Sequence, residues 1–529
     1  MLPQQELRLK MTSWWRVPTD RTALLSLIVF ALLLKIIILL QQPILARDGI
    51  MHVHFAHDLL EHPWASTLRE HPFHPGYAFT LAVASLIFQV FDPGALTPSE
   101  WQWCAHLSSS LAGILLILPL YGVARCFYSI RTAWLGSLLF VALPIVVQTT
   151  TDALTESWYL LFMLSALWTL VHGVRSQRSS WFVMTGLFTG AAYLVRVEAV
   201  ILIASLVLWS FVYRWQQSKP LPTWCAIRNG IILGACFLLP PLPYMITIGK
   251  FSNRPVVQTI VQETGSPKPL IGPGHLLASH RLQDGVDGIR RETVRWSEAI
   301  WLVLTSVARA GNYFLWPLAG IGLVILLRTR RSDPGFILMI CLCVLQLAIL
   351  TRLALTAGYA TERHAMLFVA LAAQAAAIGL LALGQWLRQT VVHARWGRQL
   401  TGMMAAIFII ACLPKDVQPL HRSQEGHRQA GFWLAEHLQI HRDWLVDPYQ
   451  WASFYAGLAF TNKTPSSDPR YSIGIIDPKD NDLNRQRDWK EADLFDKRAK
   501  TVWNWPEHGQ PKLIIRQVQM NGLGETFTY

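Results

Sequence analysis

The sequence predicts a polytopic α-helical membrane protein that ends in a small extracytoplasmic α/β region. Three observations carry this. The 529-residue chain is 52% hydrophobic and only 15% charged, where a soluble domain carries about a quarter charged residues. Apolar runs close to the ~20 residues that cross a bilayer recur up to residue 414. From Lys415 onward charges mix with short helix-like (428–438) and strand-like (444–446, 471–476, 512–518) pieces, and a region of about 110 residues is of ordinary domain size.

Arg8, Lys10, Arg16 and Arg21 precede an apolar run too long for a signal peptide and interrupted by Lys35, so it reads as a retained first span. Spans are expected at roughly 22–41, 103–124, 132–149, 154–172, 181–195, 199–213, 229–248, 313–327, 335–352, 364–387 and 400–413, eleven in all. The stretch 77–91 is short and bounded by His74-Pro75-Gly76 and Asp92-Pro93-Gly94, which suits a re-entrant or interfacial helix. Charge supports that choice. With 77–91 not crossing, Arg125/Arg131, Arg175/Arg178, Arg214/Lys219/Arg228, Arg328/Arg330/Arg331 and Arg388/Arg395/Arg398 all fall inside, as basic loops should. The C-terminus then lies outside. The chain divides into a membrane region, 1–414, with outer loops 42–102 and 249–298, and a soluble region, 415–529. Residues 298–309 suit a short amphipathic helix at the interface.

Several function classes are excluded or demoted. No P-loop or GxGxxG is present, against a nucleotide-driven pump or a cytoplasmic nucleotide-sugar enzyme. The net charge of +13 follows from basic inner loops and does not imply nucleic acid. Seven cysteines without a CxxC pair indicate neither a disulfide framework nor a zinc ribbon, and Cys341 and Cys343 read as packing residues.

Polar chemistry concentrates in ARDGIMHVHFAHDLLEHPWASTLREHPFHPGY, residues 46–77. Asp48 stands at the outer end of span one, where an acid is either a solvated cap or a base able to take a proton from a sugar hydroxyl. The loop also holds His52, His54, His57, His62, His71 and His74. No HExxH or other zinc signature accompanies them, so a divalent metal is not favoured. Asp152 and Glu156 are spaced i, i+4 at the outer start of a span and are expected to share a helix face, either as acids favoured by the helix dipole or as site residues. Glu198, two residues from Arg196, is not expected to face it. Arg363 adjoins Glu362 as a ready ion pair. Lys35, costing ~2.5–3.5 kcal/mol inside a span, is expected to point into the bundle. Trp64 and Trp296 are either interface anchors or sugar-stacking surfaces.

The motif ARDGIMHVHFAHDLL followed by HPFHPGYAFTLA resembles the first loop of the GT-C glycosyltransferases, in the branch of protein O-mannosyltransferases and aminoarabinose transferases. That branch shows an Asp-Glu pair, a Tyr shortly after, and a Pro-rich turn opening an interfacial helix. Here Gly49 stands at the second acid and His52 at the Tyr. The resemblance extends to Asp152, Arg196 and Arg363 and covers most of the chain up to about residue 414. It implies a polyprenyl-phosphate-sugar donor and a glycan, lipid or protein acceptor. It also implies inverting transfer on the outer face of a bacterial inner membrane, with Asp48 as general base. Arg196, Arg363, Lys35, His71 and His74 become candidates for the donor phosphate or sugar. Asp152, Glu156 and His52 become acceptor or auxiliary contacts, with no metal ligand assigned. The competing class is a transporter or flippase of lipid-linked sugars, which would concentrate polar groups at mid-membrane rather than in outer loops.

Overall fold

The computed structural model describes residues 19–216, 223–254, 296–390, 399–438, 444–447, 450–460, 469–475, 499–506, 508 and 512–518. The expected outer loop lies mostly outside the described residues, at 255–295.

Helix α1, Asp20–Leu39, is apolar on every side. Ala23, Leu27, Ala31, Leu34 and Ile38 are buried while Leu25, Val29, Leu33 and Ile36 are exposed, as in a helix that meets protein on one face and lipid on the other. The stretch expected as a loop is instead largely helical, in α2 (Arg47–Glu61) and α3 (Trp64–Glu70). The reason is legible in hindsight: Ile50, Val53, Phe55, Ala56 and Leu59 recur at helical spacing and are all buried. Pro75 opens α4, Pro75–Phe91, in the position where its missing N–H costs nothing. One face of α4 packs on α2; Val83, Ile87, Val90 and Phe91 on the other are exposed.

Next come α5 (Pro98–Leu115) and α6 (Ile117–Phe127), which together form one apolar stretch of 30 residues. The expected span 132–149 is broken: α7 (Ile130–Val141) ends before Pro144, which starts the six-residue α8 (Pro144–Thr149). Proline cannot continue the helix preceding it. Helices α9 (Glu156–Ser176), α10 (Ser179–Val195) and α11 (Ile201–Gln216) follow. The expected span 229–248 bends by 58° between α12 (Thr223–Leu238) and α13 (Leu242–Ile248), at Pro240-Pro241. Helix α14 (Trp296–Ala310) meets α15 (Leu315–Thr329) at 98°. It buries Ala299, Val303, Val307 and Ala310 and exposes Ile300, Trp301 and Leu304. The bundle closes with α16 (Pro334–Ala357), α17 (Met366–Thr390) and α18 (Leu400–Asp416). α15 and α17 cross at backbone contact, because Gly322 faces the Ala375 carbonyl and Gly379 faces that of Leu318.

Among the described residues, six helices are long and apolar enough to cross a membrane, or eight if each bent pair counts once. Eleven crossings is therefore too many for these criteria. The helices at 130–141 and 179–195 are among the shorter apolar ones.

Three of the basic loops meet at one end. Arg125 pairs with Asp20 (2.7 Å), Arg175 with Asp333 (2.6 Å), and Arg330 donates to the Phe127 carbonyl (3.2 Å).

Beyond the bundle, α19 (Glu425–His437) and α20 (Trp451–Tyr455) cover a four-stranded sheet. Its strands are β1 (Trp444–Val446), β2 (Pro469–Ile475), β3 (Ala499–Trp505) and β4 (Leu513–Val518). Their order is β1-β2-β4-β3, with β1 parallel to β2 and the other pairs antiparallel. Ala430, Leu434, Leu445, Ile473 and Ile515 form a core of its own. α20, by contrast, gives Trp451, Phe454 and Tyr455 to the bundle core. The C-terminal elements also hold the irregular segment that leads into α2. Arg428 donates to the Pro43 carbonyl (3.0 Å), Trp451 Nε1 to that of Leu45 (2.9 Å), and the Leu45 N–H to the Tyr455 hydroxyl (3.2 Å).

Candidate active site

The functional candidates sit at helix breaks on the end opposite the basic loops. Asp48 lies in the first turn of α2, where its charge suits the helix N-terminus. Glu156 is the first residue of α9. Arg196 is a single extended residue (φ −149°, ψ 130°) between α10 and the 3₁₀ turn Val197–Val200. Arg363 belongs to the 3₁₀ turn Glu362–Ala365 that leads into α17. Irregular backbone of this kind survives near a membrane where it lines a protein-enclosed polar site.

These breaks bring six charges into one alternating ladder. Asp48 Oδ2 accepts from Arg363 Nη1 at 2.7 Å, and Arg363 Nε lies 3.8 Å from Glu156 Oε1. Glu156 Oε1 accepts from Arg196 Nη1 at 2.7 Å, and Arg196 Nη2 reaches Glu198 Oε1 at 3.1 Å. Arg254 Nη1 closes the row, 3.6 Å from Glu198. Two expectations are overturned. Arg196 and Glu198 do meet, because the backbone between them is not α-helical. Arg363 pairs with Asp48 rather than with its neighbour Glu362, since the 3₁₀ turn points it inward. Arg254 was not anticipated; nothing local in FSNRPV marks it.

The ladder is graded in burial. The Glu156 and Arg196 side chains are 3% and 7% exposed, whereas Asp48 is 47% exposed. Among the described residues Oδ1 of Asp48 accepts no hydrogen bond. Burial pushes the Asp48 carboxyl up, but the charge and hydrogen bond of Arg363 outweigh it and hold the group below its ordinary range. His52, one turn further along α2, stacks edge-on against Tyr77 and beside Phe73. Burial holds its imidazole down to about 3, so it is neutral at ordinary pH. Four buried atoms here have no hydrogen-bond partner among the described residues: Arg196 Nε, Glu198 Oε2, Tyr159 Oη and His52 Nδ1. Each such group costs about 1–3 kcal/mol if nothing meets it.

Asp152 and Glu156 do not share a helix face. Asp152 lies in the turn between α8 and α9 and faces away from the ladder. Its Oδ1 accepts from the Ala46 and Ala153 N–H groups (3.2 and 2.8 Å), and Oδ2 pairs with His421 Nε2 at 2.8 Å. Ala46 is the N-cap of α2, so Asp152 supplies from across the chain the capping that Ala46 cannot. Next to it, a Cβ on Gly49 would lie 2.7 Å from both the carbonyl oxygen and Cβ of Ala153. The position where the resembled motif carries a second acid therefore has no room for a side chain.

The remaining candidates have partners of their own. Lys35 is buried and donates to the Thr150 carbonyl (2.6 Å), Thr150 Oγ1 (2.7 Å) and Thr151 Oγ1 (3.4 Å), closing the carbonyl end of α8. His71 Nε2 bonds Asp58 Oδ2 (2.8 Å) and stacks on Phe55; His74 Nε2 bonds Ser252 Oγ (2.9 Å). His57 and His62 also approach Asp58, at 3.7 and 3.8 Å. Among the described residues no group of three or more His, Cys, Asp or Glu is arranged to hold a metal ion. Trp64 is exposed against Phe79, and Trp296 is exposed at the start of α14.

Known proteins share this architecture. Residues 62–244 match the model of a family described as dolichyl-phosphate-mannose-protein mannosyltransferase. The chain is similar to ArnT from Cupriavidus metallidurans bound to undecaprenyl phosphate, at 13% identity and TM-score 0.59, over 93% of this chain and 97% of that one. It is also similar to the apo Archaeoglobus fulgidus oligosaccharyltransferase, at 14% identity and TM-score 0.52, over 84% of this chain. The archaeal AglB in complex with an inhibitory peptide and a dolichol-phosphate aligns at 14% identity and TM-score 0.51, over 86% of this chain. The chain covers 61% of the length of these archaeal structures. No curated protein matches it. The segment 62–244 is thus similar in sequence to that mannosyltransferase family, and the bundle as a whole shares the fold of ArnT.

Proposed function

We propose that the chain moves a sugar from a polyprenyl-phosphate donor to an acceptor hydroxyl, with inversion, at the extracytoplasmic face of a bacterial inner membrane. The observation that supports this most is the pairing of a half-exposed Asp48 with an arginine-bearing ladder. Asp48 takes the proton of the acceptor hydroxyl as its oxygen attacks the anomeric carbon. The bond from that carbon to the phosphate oxygen breaks, and polyprenyl phosphate departs with the electron pair. Arg363, Arg196 and Arg254 are the cations available to meet that negative charge, with Arg196 Nε, unpartnered among the described residues, as one ready donor. The solved neighbours support the donor class: one ArnT structure holds undecaprenyl phosphate, and one AglB structure holds a dolichol-phosphate and an inhibitory peptide.

The ladder also orders the steps. At rest Arg363 holds Asp48 and depresses its basicity. A donor phosphate that draws Arg363 to itself frees the carboxylate and raises its proton affinity, so the base becomes competent when the donor is present. Lys35 and His71, engaged elsewhere, hold the scaffold, while His74, bonded to Ser252 through Nε2 with Nδ1 unpartnered among the described residues, stays a candidate donor contact.

The direct test is Asp48→Asn in reconstituted membranes supplied with polyprenyl-phosphate sugars. Loss of transfer with donor binding intact supports the assignment; wild-type transfer by a correctly inserted variant refutes it.

A further inference from the structure

Away from the ladder, the C-terminal elements form a cleft of about 580 Å³, within the ~300–1,000 Å³ range of small-molecule sites. One wall is α19. Gln429, Phe432, Trp433 and Glu436 are spaced i, i+3, i+4 and i+7 and so share a face. The facing wall is the edge strand β3, whose alternate residues Trp503 and Trp505 also line the cleft. Trp505 is anchored: its ring lies 2.8 Å from where a Cβ on Gly426 would sit. Trp433 is held by stacking on His437, ring centroids 4.0 Å apart. Trp433, Trp503 and Trp505 remain partly exposed, beside the carboxylate of Glu436 and the amide of Gln429.

We infer that this cleft binds the carbohydrate portion of the acceptor, a hydroxyl-rich oligosaccharide. The inference rests on the glycosyltransferase reading of the chain. Flat rings fixed at the walls suit the C–H faces of pyranoses, and a carboxylate and an amide at the rim suit their hydroxyls. An interfacial tryptophan belt is the other use of such rings. A cleft whose indole rings are joined by the carboxylate of Glu436, the amide of Gln429 and the imidazole of His508 offers sugar hydroxyls both acceptors and donors, which fits sugar better than lipid headgroups. The cleft is coupled to the active site, because the helix that forms it donates from Arg428 to Pro43 and follows directly on His421, the partner of Asp152. A glycan seated there is held by the same elements that fix the start of α2.

The test uses the full chain in lipid nanodiscs and saturation-transfer NMR with mannobiose, lactose and N,N′-diacetylchitobiose as probes. At least one is expected to show saturable transfer to ring C–H protons. Its dissociation constant should rise about tenfold in Trp503→Ala, the loss of one stacking face, and about threefold in Glu436→Gln. Because Trp503 also packs on the sheet core, Glu436→Gln paired with Gln429→Ala, both exposed, gives the same reading without touching the core. Asp48→Asn should bind the probes like wild type, so failure of the base assignment and failure of the cleft are separable. Absence of saturable binding by all three probes, or unchanged binding in both variant sets, overturns the inference. So does quenching of these tryptophans by brominated lipid, which would make the face a membrane contact.

Discussion

Asp48 and Asp152 make an instructive pair. Both are acids near helix breaks at the same end of the bundle, and both have carboxyls held below their ordinary range. For each, burial works upward and a basic partner works downward harder: Arg363 for Asp48 and His421 for Asp152. Their availability is opposite. Asp152 is buried, and its two oxygens are taken by two backbone N–H groups and His421. Asp48 is half-exposed and, among the described residues, committed at one oxygen. A base must reach its proton, so depressed acidity alone does not mark one; an unspent lone pair facing open space does. Asp152 instead sets where α2 begins and thereby aims Asp48.

That contrast makes definite predictions. The largest effect is expected at Asp48→Asn: transfer falls by about 10²–10⁴-fold, the usual weight of a positioned general base, with the melting temperature unchanged. Asp152→Asn should do the reverse, lowering the melting temperature and leaving residual transfer; a stable Asp152→Asn protein with no chemistry would invert the two roles. Next, Arg196→Ala strands the buried Glu156 charge and should destabilise the fold by about 3–5 kcal/mol, measured by chemical unfolding in detergent. Gly49→Ala forces a Cβ against the Ala153 carbonyl and should cost about 1–3 kcal/mol, with a loss of transfer as α2 shifts.

Two smaller effects depend on pH. If Asp48 is the base proposed above, the acid limb of wild-type kcat/KM is expected below the ordinary carboxylate range, because the group acts ionised and Arg363 holds its pKa down. Arg363→Gln removes that influence and leaves burial, so the limb should move to higher pH; an unmoved limb would separate the base from this pair. For His421, burial works downward, but the Asp152 hydrogen bond and charge prevail and raise its pKa. Its contribution to stability is thus fully present below the unfolded value near ~6.5 and is lost as pH rises through the folded value. Thermal unfolding should show wild type losing stability across that window, and His421→Gln should be flat there.

Much of the molecule was legible in the chain because the cues are local. Apolar run length marked the bundle, arginine placement sorted its ends, and a single acid behind the first run drew attention to Asp48. Helical spacing of Ile50, Val53 and Leu59 was equally local, and the density of histidines masked it. What could not be read depended on contacts remote in sequence. Arg363 reaches Asp48 across 315 positions and His421 reaches Asp152 across 269. No periodicity records such pairs, since a side chain's partner is set by where helices break and how they pack. Residue type determined that this protein is a membrane bundle with acids and arginines at the end away from its basic loops. Only the tertiary structure decided which acid keeps a free oxygen, because burial and partner geometry, not residue identity, govern whether a carboxylate can accept a proton.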